Sequence, residues 1–412
     1  MKIVIINQPW GNRGDESAHR ALIRNLIMSF PEADIEIMAY DSSLERIKEF
    51  EINATNVKYT IIEAKPRDQR IFDLSFILCC SFLLFIYPNA RKIIKIISSA
   101  DVVVNAPGGI CLGGFQVWSH LYLLKIAQKL HKPVAYYGRS IGPFPTVTRR
   151  NRIFKKLSYN ILKYFGYLSL RDSKSVKLAE NIGLNCISTV DTAFLDSPKV
   201  KVPFRIKKVI DVVPYMVFVP NSLVWHYAFK NVDQTLVNAF YLKLMNKILE
   251  SDKSINIILL PQLHFFRSSD DKYYFDELME RCGNRRVEVI DDLYGSDVQQ
   301  AIIQGAKYVV GARYHSVVFA INNAVPFVSL SYEHKMLGLL ETLDKTENLI
   351  DITNIFKSEA TVDSAVNKVL IIIESLRNEN LENYESLREK AKEIANLGFD
   401  ELKHYISLLN KR

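Results

Sequence analysis

The chain reads as an α/β protein: two doubly wound, Rossmann-like domains facing a central cleft, followed by a C-terminal helical tail. Three observations lead there. Short, almost wholly apolar runs such as Lys2 to Asn7, Ala100 to Asn105, Tyr215 to Pro220 and Tyr308 to Val310 have the composition of strands covered on both faces. Amphipathic stretches of helical spacing alternate with them, the pattern that builds parallel sheets. The pattern then starts afresh after residues 197–208, a Lys- and Pro-containing stretch without periodicity. Residues 1–196 are therefore expected as the N-terminal domain, 197–208 as a linker, 209–373 as the C-terminal domain and 374–412 as a charged, Leu/Ile-spaced helical tail.

The totals agree with a folded enzyme-sized chain. Its 412 residues suffice for two ordinary cores, and 48% hydrophobic with 24% charged residues excludes a disordered protein. A formal charge of +8 favours anionic partners: phosphorylated substrates, an acidic membrane face or nucleic acid. The basic stretches lack interleaved aromatic platforms and any known binding motif, which argues against nucleic acid. Cys79, Cys80, Cys111, Cys186 and Cys282 show no Cys-x-x-Cys spacing, so neither a disulfide framework nor a zinc site is expected. His19, His226 and His264 each stand alone, and no metal is expected at them. The opening Met1 to Ile6 is too short an apolar run for a secretory signal, so the expected location is cytoplasmic.

In order, the first strand runs into the turn Gly11 to Ser17 and then a helix of about Ala18 to Ser29, with Leu22, Ile23, Leu26 and Ile27 on one face. Asp15 and Glu16 sit at the helix start, where carboxylates complement the dipole. With Asn12 and Gly14 they also lie at a strand's carboxyl end, where they can bond sugar hydroxyls or accept a proton. Both readings stand.

Leu74 to Tyr87 is apolar on every side and flanked by Arg67, Arg70, Arg91, Lys92 and Lys95. At about 14 residues it falls short of the about 20 that span a bilayer as a helix. It is either a buried core helix or an interfacial helix whose basic flanks meet anionic headgroups. After Asn105 come Gly108, Gly109, Gly113 and Gly114, which imply close backbone approach but match neither a dinucleotide fingerprint nor a P-loop. Pro133 to Tyr137 is a strand ending in Gly138 to Pro143, and Arg149 to Lys163 is a basic helix. Tyr167 to Leu170 leads to Arg171, again at a strand-to-helix junction, with Ser173 as N-cap.

In the second half, Ile255 to Leu260 ends in Pro261-Gln262-Leu263-His264, and helices are expected over Gln234 to Leu249, Asp271 to Arg281 and Ser296 to Gln304. The stretch that organises the chain follows. A strand from Tyr308 to Val310 breaks at Gly311, a helix runs from about Ser316 to Asn322, and a strand from Pro326 to Leu330 feeds Tyr332-Glu333-His334-Lys335. Arg313 and His315 fall where the helix begins. A guanidinium, an imidazole and a helix N-terminus converging there make an anion site, because the dipole and the unpaired N–H groups favour negative charge.

Several junctions taken together resemble the polysaccharide pyruvyl transferase family over about residues 1–340. They are Asn12-Arg13-Gly14-Asp15-Glu16, Asp101 with Gly108-Gly109, Ile141-Gly142-Pro143, Arg171-Asp172-Ser173-Lys174-Ser175 and Asp191-Thr192-Ala193-Phe194. To these add Pro261-Gln262, Gly311-Ala312-Arg313-Tyr314-His315-Ser316, Val325-Pro326 and Tyr332-Glu333-His334-Lys335. Pro107 and Arg139 depart from the family pattern, where a third glycine and a smaller or amide side chain are common.

The resemblance implies a GT-B-like fold that moves pyruvate from phosphoenolpyruvate onto two hydroxyls of a sugar as a ketal, with no cofactor beyond that donor. It associates Arg313, His315 and Arg171 with phosphoenolpyruvate. On that basis His315 is the candidate for phosphate contact and proton delivery, and Asp15, with Glu16 behind it, for the base at the acceptor. Ser316, Asn12, Gly14, Asn105, Gly108, Gly109, Gln262, His264, Glu333 and Lys335 complete the expected substrate contacts. The first domain is expected to take the acceptor and the second the donor. The expected acceptor is a lipid-linked glycan, with peripheral contact at the inner membrane face through Leu74 to Tyr87 and the basic helix near Arg150. Two other readings compete: a sugar-nucleotide glycosyltransferase or epimerase of the same fold, and a non-catalytic membrane-associated binding protein.

Overall fold

The computed structural model describes residues 1–412 apart from 42–46, 49, 79, 199, 225, 227, 228, 230, 265–269, 291–293 and 412, and apart from the side chains of 110 and 111. The chain divides into two compact units. The first comprises Met1–Trp10, Ala18–Leu195 and Ile394–Arg412; the second comprises Gly11–Ser17 and Asp196–Glu393.

The sheet of the first unit holds β1 (Lys2–Ile6), β2 (Asp34–Asp41), β3 (Val57–Glu63), β4 (Val102–Asn105), β5 (Gly108–Gly113), β6 (Val134–Gly142), β7 (Tyr167–Leu170) and β8 (Ile187–Ser188). Every pairing is parallel, in the order β3-β2-β1-β4-β6-β7-β8, with β5 beside β6. Successive side chains of a strand point to opposite faces. Val4 and Ile6 accordingly join one apolar layer with Val103 and Tyr136, while Ile3 and Ile5 join the other with Val102 and Val104. Both layers are covered, which is why these strands are apolar throughout. Phe399, Leu402 and Ile406 belong to the second layer, and the Tyr167 hydroxyl donates to the Gly398 carbonyl at 2.6 Å. The end of the expected tail is thus part of the first unit's core.

The second unit holds β9 (Tyr215–Val219), β10 (Asn256–Leu259), β11 (Val287–Val289), β12 (Val309–Gly311), β13 (Phe327–Ser331) and β14 (Leu349–Asp351). All pairings are parallel, in the order β11-β10-β9-β12-β13-β14. Strand order reverses between β1 and β4 in the first sheet and between β9 and β12 in the second. Ligands of doubly wound sheets bind beyond the carboxyl ends of the strands at such reversals.

Gly108 to Gly113, in the glycine-rich stretch after Asn105, form the strand β5. Three local expectations are corrected. The polar turn after β1 is already helical, since the helix spans Arg13–Ser29 with Asp15 and Glu16 in its first turn. The stretch from Leu74 to Tyr87 is not one helix: a helix ends at Ile77, a four-residue helix covers Leu83–Ile86, and another begins at Pro88. A proline cannot continue a helix through its own position and drives the preceding residue to extended backbone, as at Tyr87 (φ −80°, ψ 125°). Finally, part of the expected linker is the helix Phe204–Ile210. Among the described residues no helix is long and apolar enough to cross a membrane.

Candidate active site

At the reversal of the second sheet, β12 ends in Gly311 beside Val219, and the Ala312 N–H donates to the Val219 carbonyl at 2.8 Å. The chain turns at once into the helix Tyr314–Asn322, whose N-cap is Arg313 without a side-chain cap bond. The Ser316 hydroxyl and N–H both donate to the Arg313 carbonyl, at 2.5 and 3.1 Å. That hydroxyl lies where a Cβ on Gly311 would fall, 2.0 Å away, so only glycine fits this turn. Ser316, expected among the substrate contacts, therefore closes the turn that presents its neighbours.

Arg313 is only 7% exposed, and its guanidinium pairs with the buried carboxylate of Asp271. Burial works against its charge, but Asp271 more than restores it, leaving the pKa raised. The same aspartate accepts the N–H groups of Gln262 and Leu263 at 3.0 and 2.9 Å. One carboxylate thus fixes both the arginine after β12 and the loop after β10. Gln262 is 1% exposed, and neither atom of its side-chain amide has a partner among the described residues. His264 is buried, and burial together with the charge of Arg13 lowers its pKa to about 4. It is a neutral imidazole at physiological pH.

The segment Gly11–Ser17 completes this site. Asn12 pairs with Leu263 as an antiparallel bridge, the Arg13 N–H donates to the Gln262 carbonyl, and the His264 N–H donates to the Gly11 carbonyl, both at 3.0 Å. Asn12 accepts the Gly14 N–H through Oδ1 at 2.9 Å. Gly14 then faces His315 with no room for a side chain. Glu16 is tied down within the unit: its Oε2 takes Arg13 at 3.1 Å and the N–H of Ser296 at 3.1 Å. The helix Ser296–Gln304 has Gly295 as N-cap, which has no side chain to offer, and Glu16 supplies the missing acceptor. Asp15 lies in the same first turn, 8% exposed.

Glu333 and Lys335 form a neighbouring cluster. The Glu333 carboxylate meets Lys335 at 2.8 Å and His226 Nε2 at 3.1 Å. Burial would raise its pKa, but Lys335 and His226 override that and hold it at about 2. Lys335 also lies 5.8 Å over the ring of Tyr314.

The other expected residues lie in the first unit. Asn105 ends β4 at that sheet's own reversal and accepts the amide of Asn7 at 2.8 Å. Gly108 starts β5 with φ +142°, and nothing stands within 4 Å of a Cβ on Gly109. Arg139 is turned inward and donates to the Gly109 and Asn7 carbonyls at 3.1 and 3.0 Å. Arg171 is 1% exposed, pairs with the buried Asp191 and donates from Nε to Ser140 at 3.2 Å. Each of the two guanidiniums associated with the donor, Arg313 and Arg171, is thus paired with a buried aspartate, Asp271 and Asp191.

The structure thus joins Asn12, Gly14, Glu16, Gln262, His264, Arg313, His315 and Ser316 in one unit. No site role was assigned from the sequence to Asp271, Arg13 or His226. Asp271 carried only the signal of an acid at a helix start, which capping already explains. No cluster of three or more His, Cys, Asp or Glu side chains among the described residues is arranged to hold a metal ion.

Two doubly wound units with a polar site at the sheet reversal define a protein of GT-B type. A UDP-N-acetylglucosamine 2-epimerase of Methanocaldococcus jannaschii has a TM-score of 0.55 and 15% identity over 92% of this chain and 94% of that one. A Listeria monocytogenes protein assigned to the same activity gives 0.61 and 11% identity over 98% and 96%. At these identities the likeness is one of fold. The profile of the polysaccharide pyruvyl transferases matches residues 47–334, and the chain belongs to that family. It is also 22% identical to the amylovoran biosynthesis protein AmsJ of Erwinia amylovora, across 95% of this chain and 94% of that protein.

Proposed function

We propose that the chain transfers pyruvate from phosphoenolpyruvate onto two hydroxyls of a sugar, releasing phosphate and leaving a cyclic ketal, in the synthesis of a surface polysaccharide. His315 gives a proton to the methylene carbon, a first hydroxyl oxygen bonds to C2 as its proton passes to Asp15, and a second hydroxyl displaces phosphate, which leaves with that hydroxyl's proton. Transfer of the proton held by Asp15 back to His315 closes the cycle. The donor's carboxylate and phosphate need fixed positive charge and a proton donor close together. The observation that carries the reading is His315 at the start of an uncapped helix, next to Arg313 with its guanidinium oriented by Asp271. The dipole and first N–H groups of that helix favour an anion, and His315 is the group to contact phosphate and move the proton. The unpartnered amide of Gln262 offers a further contact, since buried polar groups without partners are rare unless a ligand completes them. Asp15 remains the proposed base, and Arg171 holds the junction after β7 through Asp191. A lipid-linked oligosaccharide is the proposed acceptor, met at the cytoplasmic face of a membrane.

The test is phosphate release from phosphoenolpyruvate with and without lipid-linked and nucleotide-linked sugars, for the wild type and His315→Ala. Acceptor-dependent release, lowered about 10²- to 10⁴-fold in the variant, is the expected result. Equal turnover by the variant, or consumption of a sugar nucleotide without phosphoenolpyruvate, overturns the reading.

A further inference from the structure

The helical corner of the first unit between Pro66 and Ser98 combines an apolar tip with two basic stripes. On the helix Pro66–Ile77 the buried residues are Asp68, Phe72, Ser75 and Phe76. The opposite side carries Arg67, Arg70, Leu74 and Leu78, spaced three or four apart and all exposed. On the helix Pro88–Ser98, Ala90, Ile93, Ile96 and Ile97 face inward, while Arg91, Lys92 and Lys95 are exposed. Between the two helices, Leu84 alone of the short helix Leu83–Ile86 is buried. Leu78, Phe82, Phe85 and Ile86 are 67%, 69%, 61% and 51% exposed. Four large apolar side chains so close in sequence and so open to solvent are unusual on a surface with nothing to meet.

The charge around this tip is one-sided. The two acids of the stretch are consumed internally. Asp68 accepts Tyr40 at 2.7 Å, Asn89 at 2.9 Å and the Tyr87 hydroxyl at 2.5 Å. Asp73 takes Tyr122 and, at 3.3 Å, Arg150. Arg150 lies against Asp73 and 4.5 Å from the Trp118 ring. The outward charge between Pro66 and Ser98 is thus Arg67, Arg70, Arg91, Lys92 and Lys95.

We infer that this corner is a docking surface for an anionic lipid bilayer: Leu78, Phe82, Phe85 and Ile86 enter the interfacial region while the two basic stripes meet the headgroups. Among the described residues no helix is long and apolar enough to cross a bilayer, and the attachment inferred is peripheral and reversible. The inference stands on the first unit alone and does not depend on the reaction assigned to the second.

The full-length protein is mixed with vesicles of phosphatidylcholine, with or without phosphatidylglycerol, and floated. Binding is expected to the anionic vesicles and to weaken as salt rises. Phe82→Ser with Phe85→Ser should lower the partition at least about tenfold. Arg91→Gln, Lys92→Gln and Lys95→Gln should each lower it about fivefold on anionic vesicles only. Thermal midpoints and far-ultraviolet circular dichroism near those of the wild type show that the variants remain folded. If the wild type stays with the unbound fraction at low salt, or the double Phe variant floats equally well, the inference falls. It also falls if that variant only converts a dimer to a monomer, which makes the corner an interface between copies of the chain.

Discussion

Gly14 faces His315 so closely that a Cβ built on the glycine would lie 1.7 Å from Cγ of the imidazole. Cγ is the ring atom nearest the backbone, so rotating the ring does not clear it. Gly14→Ala should therefore displace the imidazole and, on the proposed reaction, lower turnover of phosphoenolpyruvate about 10²-fold, the usual effect of misplacing a reacting group by an ångström or so. Steady-state phosphate release checks this. A fall in kcat with the thermal midpoint kept is the expected signature.

Asp271 ties Arg313 to the loop after β10. Removing its carboxylate in Asp271→Ala leaves a buried guanidinium and two N–H groups without their acceptor, at a cost of about 3–5 kcal/mol. Urea unfolding should show this as a lower midpoint. Asp271→Asn, which keeps an acceptor oxygen, should be milder in stability yet raise KM for phosphoenolpyruvate.

Arg171 and Asp191 make the equivalent pair in the first unit. Arg171→Ala strands a buried carboxylate and should destabilise by a similar about 3–5 kcal/mol. The double variant with Asp191→Ala should recover part of the loss, as expected when two residues act on one another. A double variant no better than the single one would show that Arg171 does more than neutralise its neighbour.

Acid should weaken the fold through two imidazoles held neutral. The pKa of His264 is lowered from 6.5 to about 4 by burial and by Arg13, and that of His19 to about 3 by burial and by Arg20. Both folded values lie below the unfolded one, so the unfolded chain binds the proton first. This contribution is fully present above pH 6.5 and is lost as pH falls toward 4 for His264 and toward 3 for His19, by about 1.4 kcal/mol per unit for each group. The difference in unfolding free energy between pH 7 and pH 5 should shrink in His264→Gln.

Much of this was legible in the sequence, and the reason is burial. Strands such as Ile3–Ile6 and Val309–Gly311 are buried along their whole length, so their apolar runs stand out. Arg313 and His315 stand out in the sequence as candidates because a polar pair directly after such a strand lies at the end where ligands of these sheets bind. The pairing of Asn12 with Leu263 was not legible, since no local pattern joins residues that far apart. Nor was the use of Glu16 on the Ser296 N–H, because an acid in a helix's first turn already has a sufficient local explanation. Strands of two and three residues, such as β8 and β14, are too short to show any period. In Leu74 to Tyr87 uniform hydrophobicity hid the breaks that Pro88 and the turns impose.

The division of the chain has a consequence for cutting it. Gly11–Ser17 complete the second unit although they precede most of the first, and Ile394–Arg412 complete the first although they follow the second. Neither unit can be released whole by a single cut. A shortened protein starting at Asp196 would lack the acceptor for Ser296, the partner strand for Leu263 and the glycine that confines His315.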